Sequence, residues 1–216
     1  MIEVLLVDDH AVVREGYRRL LELQDDIRVV AEAATAEDAL LLWKQWQPDV
    51  IVVDLSLPGI GGIELIQRLR AREPRVRCLV FSMHGDDVWV AQALKAGALG
   101  YVTKRSAPAV LVAAVRDVHR GRRVLSPDLA GHADRDDPAH ELTPREFEVL
   151  RQLLAGHPVT RIAETLHLSV KTVHNLHYQI KAKLGTASDF ELARLAWQRG
   201  WVDQPGGDPS GGALIG

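Results

Sequence analysis

Five times in the first 121 residues a short apolar run gives way to a longer amphipathic stretch, and few architectures accept that alternation. The runs are Ile2–Val7, Ile27–Ala33, Val50–Val53, Val76–Phe81 and Leu99–Val102. The stretches behind them are Ala11–Leu23, Glu37–Trp46, Gly62–Arg72, Asp87–Ala96 and Pro108–Arg120. Runs so short and apolar predict strands covered on both faces, and a helix between successive strands makes them parallel. Residues 1–121 therefore read as five βα units, an α/β domain with helices on both sides of a parallel sheet.

Residues 122–140 read as a linker, because Pro127–His140 has little periodicity and mixes Pro, Gly, Asp and His. From 141 to 203 the pattern is helical only. Thr143–Glu146 is a capping box with Pro144 at the first helical position, opening a helix to about Ala155. A short helix over Val159–Leu166 follows, then one capped by Ser169 and stopped by Gly185, and a last one capped by Ser188 and ended by Gly200. Residues 204–216 are rich in Gly and Pro and read as a disordered tail. Two domains suit a chain of 216 residues. A lone Cys78 excludes an internal disulfide and suits a reducing compartment. No apolar run reaches membrane length, so the expectation is a cytoplasmic protein with no membrane partner. Net charge is −3, so any surface for nucleic acid must be local.

The run Val50–Val53 ends directly in Asp54, and a buried unpaired charge is costly. The ends of the other strands suggest a resolution. Asp8 and Asp9 close the first, Ser82 the fourth, and Lys104 follows the fifth. Open α/β sheets gather ligands outside the carboxyl ends of their strands. Three carboxylates meeting there would repel one another, and a divalent cation removes the conflict; Mg²⁺ suits carboxylates, water and phosphoryl oxygens. Singly, each signal has a blander reading: Asp8 and Asp9 as a turn or helix cap, Tyr101 as a half-buried strand residue, Ser82 as a helix start.

Taken in chain order, "DDH", "VVDLSLPGIGG", "FSMHGD" and "GYVTK" resemble a two-component receiver domain, which implies a flavodoxin-like (βα)5 fold. The resemblance implies that Asp54 takes a phosphoryl group from a sensor histidine kinase. It implies Mg²⁺ on Asp8, Asp9, Asp54 and the backbone carbonyl of Ser56, with Lys104 and Ser82 binding the phosphoryl group and Tyr101 turning inward as the switch. Lys104-Arg105 departs from the Lys-Pro common in receivers, which puts the cis bond of that loop in question. Dehalogenase-type phosphatases share the aspartyl-phosphate chemistry, but their Asp-x-Asp after the first strand is missing.

"LTPREFEVLRQLLAGHPVTRIAETLHLSVKTVHNLHYQIKAKLG" resembles the four-helix helix-turn-helix domain of NarL/FixJ, LuxR-type regulators, with Val170–Leu184 as recognition helix. Helical spacing puts Val173, Ile180 and Leu184 on the core side and Lys171, His174, Asn175 and Tyr178 on the other. Three lysines and no acid lie in this helix, as contact with a phosphate backbone requires. Lys171, Thr172, His174, Asn175, Tyr178 and Lys181 are the expected contacts to double-stranded DNA. Leu192, Leu195 and Ala196 on the last helix are the expected homodimer contact. "KLGTASDFELARLAWQRGWVD" is also similar to the GacA/UvrY branch of the family. Together these resemblances imply a DNA-binding transcription regulator rather than an enzyme, catalysing only its own phosphoryl transfer and hydrolysis. The alternative is a regulator independent of phosphorylation, controlled by abundance or a protein partner.

Overall fold

The computed structural model describes residues 1–129 and 137–201, so the tail expected at 204–216 lies outside the described residues. Its first half contains β1 (Ile2–Val7), α1 (Ala11–Glu22), β2 (Ile27–Ala33), α2 (Ala36–Trp46), β3 (Val50–Val53), α3 (Gly62–Arg72), β4 (Cys78–Ser82), α4 (Asp87–Ala96), β5 (Gly100–Thr103) and α5 (Pro108–His119). All strands are parallel, and with β6 (Val124–Leu125) their order is β2-β1-β3-β4-β5-β6.

The sixth strand was not expected. β6 (Val124–Leu125) comes from the segment read as linker and pairs with β5, Gly100 opposite Val124 and Tyr101 opposite Leu125. Two 3-10 turns, Pro127–Leu129 and Pro138–Glu141, lie in the same segment. Among the described residues no peptide bond is cis, so Lys104–Arg105 is trans.

The helical half follows the capping signals closely: α6 (Pro144–Leu154), α7 (Val159–Leu166), α8 (Val170–Leu184) and α9 (Asp189–Gln198). At α6 both bonds of the capping box form: the Thr143 hydroxyl accepts from the Glu146 N–H, and the Glu146 carboxylate from the Thr143 N–H. Burial opposes the charge on Glu146. Lys183, 2.7 Å away, together with Thr143 outweighs it and holds that carboxyl below its usual range.

Alternation along the strands divides the core. Val4, Leu6, Val52 and Phe81 face α1 and α5, in a cluster with Leu111 and Val115. Leu5, Val7, Ile51, Val53 and Val80 face the other way, and their cluster runs without a break through Trp89 of α4 to Phe147 of α6 and Ile180 of α8. The two halves thus share one apolar cluster.

Candidate functional site

Three strand ends meet where the sequence placed the acids. Asp54 leaves β3 with 3% of its surface exposed, and its Oδ2 accepts from Lys104 Nζ at 2.7 Å. The same ammonium donates to Asp8 Oδ2 at 2.6 Å. Burial works against the charged Lys104, yet Asp54 and Asp8 outweigh it and raise its pKa above the ordinary 10.5. The second oxygens are also engaged: Asp54 Oδ1 accepts from the Ser56 N–H at 3.2 Å and Asp8 Oδ1 from the His10 N–H at 2.8 Å.

Asp8, Asp9, His10 and Asp54 can each aim one ligand atom so that all lie within 4.8 Å of one another. Carboxylate oxygens dominate this set, and hard oxygen donors fit Mg²⁺. His10 was not among the sequence candidates; its Nδ1 lies 2.8 Å from Asp9 Oδ1. Only Gly fits at the start of α3, since a Cβ on Gly62 would overlap the carbonyl oxygen of Asp54. The acid is therefore held from behind by backbone.

Ser82 is wholly buried at the end of β4. Tyr101 was expected to turn inward on phosphorylation. It is inward: its side chain is fully buried and its hydroxyl donates to the His84 carbonyl at 2.7 Å. His84 Nε2 lies 3.0 Å from Ser56 Oγ, so the two side chains flanking the acids are joined to each other.

On α8, Val173, Ile180 and Leu184 are buried as the spacing requires. Lys171, His174, Asn175 and Tyr178 are exposed. Thr172 is half-buried: its N–H donates to the Ser169 hydroxyl that caps the helix, and its own hydroxyl lies 2.7 Å from it. Lys181 pairs with Asp189 at 3.1 Å, and His177 Nε2 lies 2.9 Å from the same carboxylate. The proposed dimer face on α9 needs correction. Leu192 and Ala196 are buried in the domain's own core and Leu195 packs against it; the exposed apolar side chains are Phe190 and Trp197.

The family described as "Response regulator receiver domain" matches residues 4–116, and that described as "Bacterial regulatory proteins, luxR family" matches 140–196. Response regulator GacA of Pseudomonas aeruginosa is 37% identical over 211 residues, 94% of this chain and 99% of that protein. Response regulator UvrY of Escherichia coli is 36% identical over 208 residues, 93% and 95% of the two. The chain belongs to the LuxR-type two-component response regulators, which regulate transcription. A LuxR-family response regulator from Aurantimonas sp. aligns with a TM-score of 0.61 at 46% identity over 63% of this chain and 97% of its own. RcsB of Salmonella enterica serovar Typhimurium, bound to promoter rprA with the phosphomimetic BeF3-, aligns with a TM-score of 0.73 at 28% identity over 90% and 98%.

In this response regulator the receiver docks on α6 through residues that sequence reasoning missed. Trp89 meets Phe147 edge to face with ring centres 5.0 Å apart, and His84 stacks on the Trp89 ring at 4.2 Å. Gln92, fully buried, donates to the carbonyls of Ala139 at 2.8 Å and Leu142 at 3.0 Å. Glu64 of α3 pairs with Arg145 of α6, and the carbonyl of Gly59, five residues past Asp54, accepts from Gln152 at 2.5 Å. A Cβ on Gly61 would stand 2.7 Å from Glu148 Oε2, so a larger residue here would have to push the Glu148–Arg151 pair of α6 aside. The one available signal was Trp89, a large apolar residue at a helix start. Its partner lies 58 residues away and no local pattern names it.

Proposed function

We propose that Asp54 accepts a phosphoryl group from a sensor histidine kinase and that the acylphosphate alters how α8 is presented to double-stranded DNA. An Asp54 oxygen attacks phosphorus, the P–N bond to the kinase histidine breaks, and the imidazole leaves with its electron pair. Lys104, already against Asp54, is placed to balance the charge of the transferred oxygens, and the buried Ser82 hydroxyl to donate to them. Asp8, Asp9, Asp54 and the Ser56 carbonyl would hold Mg²⁺, which would supply positive charge to the phosphoryl oxygens. The observation that carries this reading is the Lys104 ammonium lodged between Asp8 and Asp54 at the sheet's carboxyl edge.

Asn175 has the side chain for bidentate contact with adenine, while Lys171 and Lys181 suit phosphate or guanine, with Thr172, His174 and Tyr178 beside them. For Lys181 to join, its pair with Asp189 must open. A homodimer would set two recognition helices on successive half-sites, with the exposed Phe190 and Trp197 as the apolar contact. The test is DNA affinity over a salt series, with and without acetyl phosphate and Mg²⁺, for the native chain and Asp54→Asn. Tighter binding on phosphorylation, lost in Asp54→Asn, supports the reading.

A second reading has an observation of its own. Tyr101 is inward and the outer face of α8 is exposed in one and the same arrangement, as a phosphorylation-independent regulator requires. Equal DNA affinity in all four samples of the same test would favour it.

A further inference from the structure

We infer that the segment Val124–Leu129 is a strap that holds Tyr101 inward and so sets the phosphoryl site in its accepting arrangement, Asp128 and Leu129 acting as positioning residues. The strap follows β5 residue by residue. Val124 N–H donates to the Leu99 carbonyl at 3.2 Å and Ser126 N–H to the Tyr101 carbonyl at 2.9 Å. The Thr103 N–H reaches the Ser126 hydroxyl at 3.3 Å. Asp128 then fastens the far end, accepting from the hydroxyls of Thr103 at 2.5 Å and Ser106 at 2.9 Å. The Tyr101 carbonyl and the Thr103 N–H are thereby tied to the segment, up to the residue before Lys104.

Leu129 decides the side chain. It is 6% exposed and belongs to the apolar cluster that contains Tyr101, Val88 and Trp89. It also lines a surface cleft of about 390 Å³ with Gly85, Thr103 and Asp128, and its Cδ2 would lie 3.7 Å from a Cβ on Gly85. Leu129 therefore belongs to the apolar cluster that holds the buried phenol and at the same time borders the open space beside β5. Removing it takes an apolar side chain out of the cluster that contains Tyr101 at its boundary with the cleft, which opens the way for water to compete for the bond to the His84 carbonyl. Because Thr103 precedes Lys104 and Tyr101 bonds the strand-four loop, docking of the strap and occupancy of Asp54 are linked, and such linkage is reciprocal. This coupling rests on Asp54 being the phosphoacceptor; the hold on Tyr101 does not.

The test uses the full chain and two readouts. The first is nitration of tyrosines by tetranitromethane, mapped by peptide mass, with exposed Tyr178 as internal standard. Native protein should modify Tyr178 and spare Tyr101, while Leu129→Ala and Asp128→Ala should nitrate Tyr101 and still melt cooperatively. Ser106→Ala, which removes one of the Asp128 donors, should fall between. Tyr101 spared in all variants would overturn the strap. The second is affinity for beryllofluoride with Mg²⁺, expected to fall at least about fivefold in the strap variants, the low end of ordinary coupling. Released Tyr101 with unchanged affinity would overturn the coupling. No beryllofluoride binding by native protein would count against the phosphoacceptor reading instead, leaving the nitration result to decide the strap.

Discussion

Replacing Lys104 by Met removes the ammonium while keeping most of the apolar stem in place. The side chains of Lys104, Asp8 and Asp54 are 7%, 9% and 3% exposed, and the two ion pairs measure 2.6 and 2.7 Å. Taking one partner from a buried pair costs about 3–5 kcal/mol, because a charge stays behind without compensation; here two carboxylates stay behind. The contact of Lys104 with the Phe81 ring, 6.0 Å from its centre, adds at most about 1 kcal/mol. The opening free energy of the receiver is read by hydrogen exchange at the Val50–Val53 amides. In chelator, Lys104→Met should lower it by about 3–5 kcal/mol. Millimolar Mg²⁺ should return a large part of that loss, since a cation binding only the folded site stabilises it by mass action. The sign with pH follows from the raised pKa. The Lys104 contribution is full below the ordinary 10.5 and is lost only as pH rises through the higher folded value, so the gap between native and variant is flat through neutral pH. A loss under about 1 kcal/mol in chelator, or an equal loss in Mg²⁺, would refute the claim that Lys104 offsets these acids.

Gln92→Ala withdraws two buried donors from the Ala139 and Leu142 carbonyls and should cost about 1–3 kcal/mol, read as a larger radius by small-angle scattering when the domains part. Lys171→Ala should weaken DNA binding uniformly and flatten the salt dependence by about one unit of slope, whereas Asn175→Ala should cost about 1–3 kcal/mol mainly at adenine positions. Thr143→Ala breaks the α6 capping box and should destabilise the helical half by about 1 kcal/mol in urea titrations. At Asp128, burial raises the pKa, but hydrogen bonds from Thr103, Ser126 and Ser106 win and bring it to about 2. The strap is therefore stabilised above the ordinary 3.8 and loosens as pH falls towards 2, a loss that Val124–Leu129 amide exchange would detect.

The strands carrying the acids were legible because each is short, apolar and buried on both faces, and Val50–Val53 forms within its predicted bounds. The caps were legible because Thr143, Ser169 and Ser188 bond only to their own next turn. β6 was not, since two residues after "GRR" carry no period and become a strand only when β5 offers a free edge. On α9 the spacing gave an apolar face, but not whether core or a partner covered it; Leu192 and Ala196 went inward. The acid cluster was read from chain order alone, whereas Gln92, Trp89 and Gly59 matter through neighbours that sequence distance hides.

Intact mass after incubation with acetyl phosphate and Mg²⁺, on the native chain and on Asp54→Asn, tests the central claim most directly. The account predicts one added phosphoryl mass on the native chain, removed by mild base treatment and missing from Asp54→Asn. The same adduct on Asp54→Asn would contradict it.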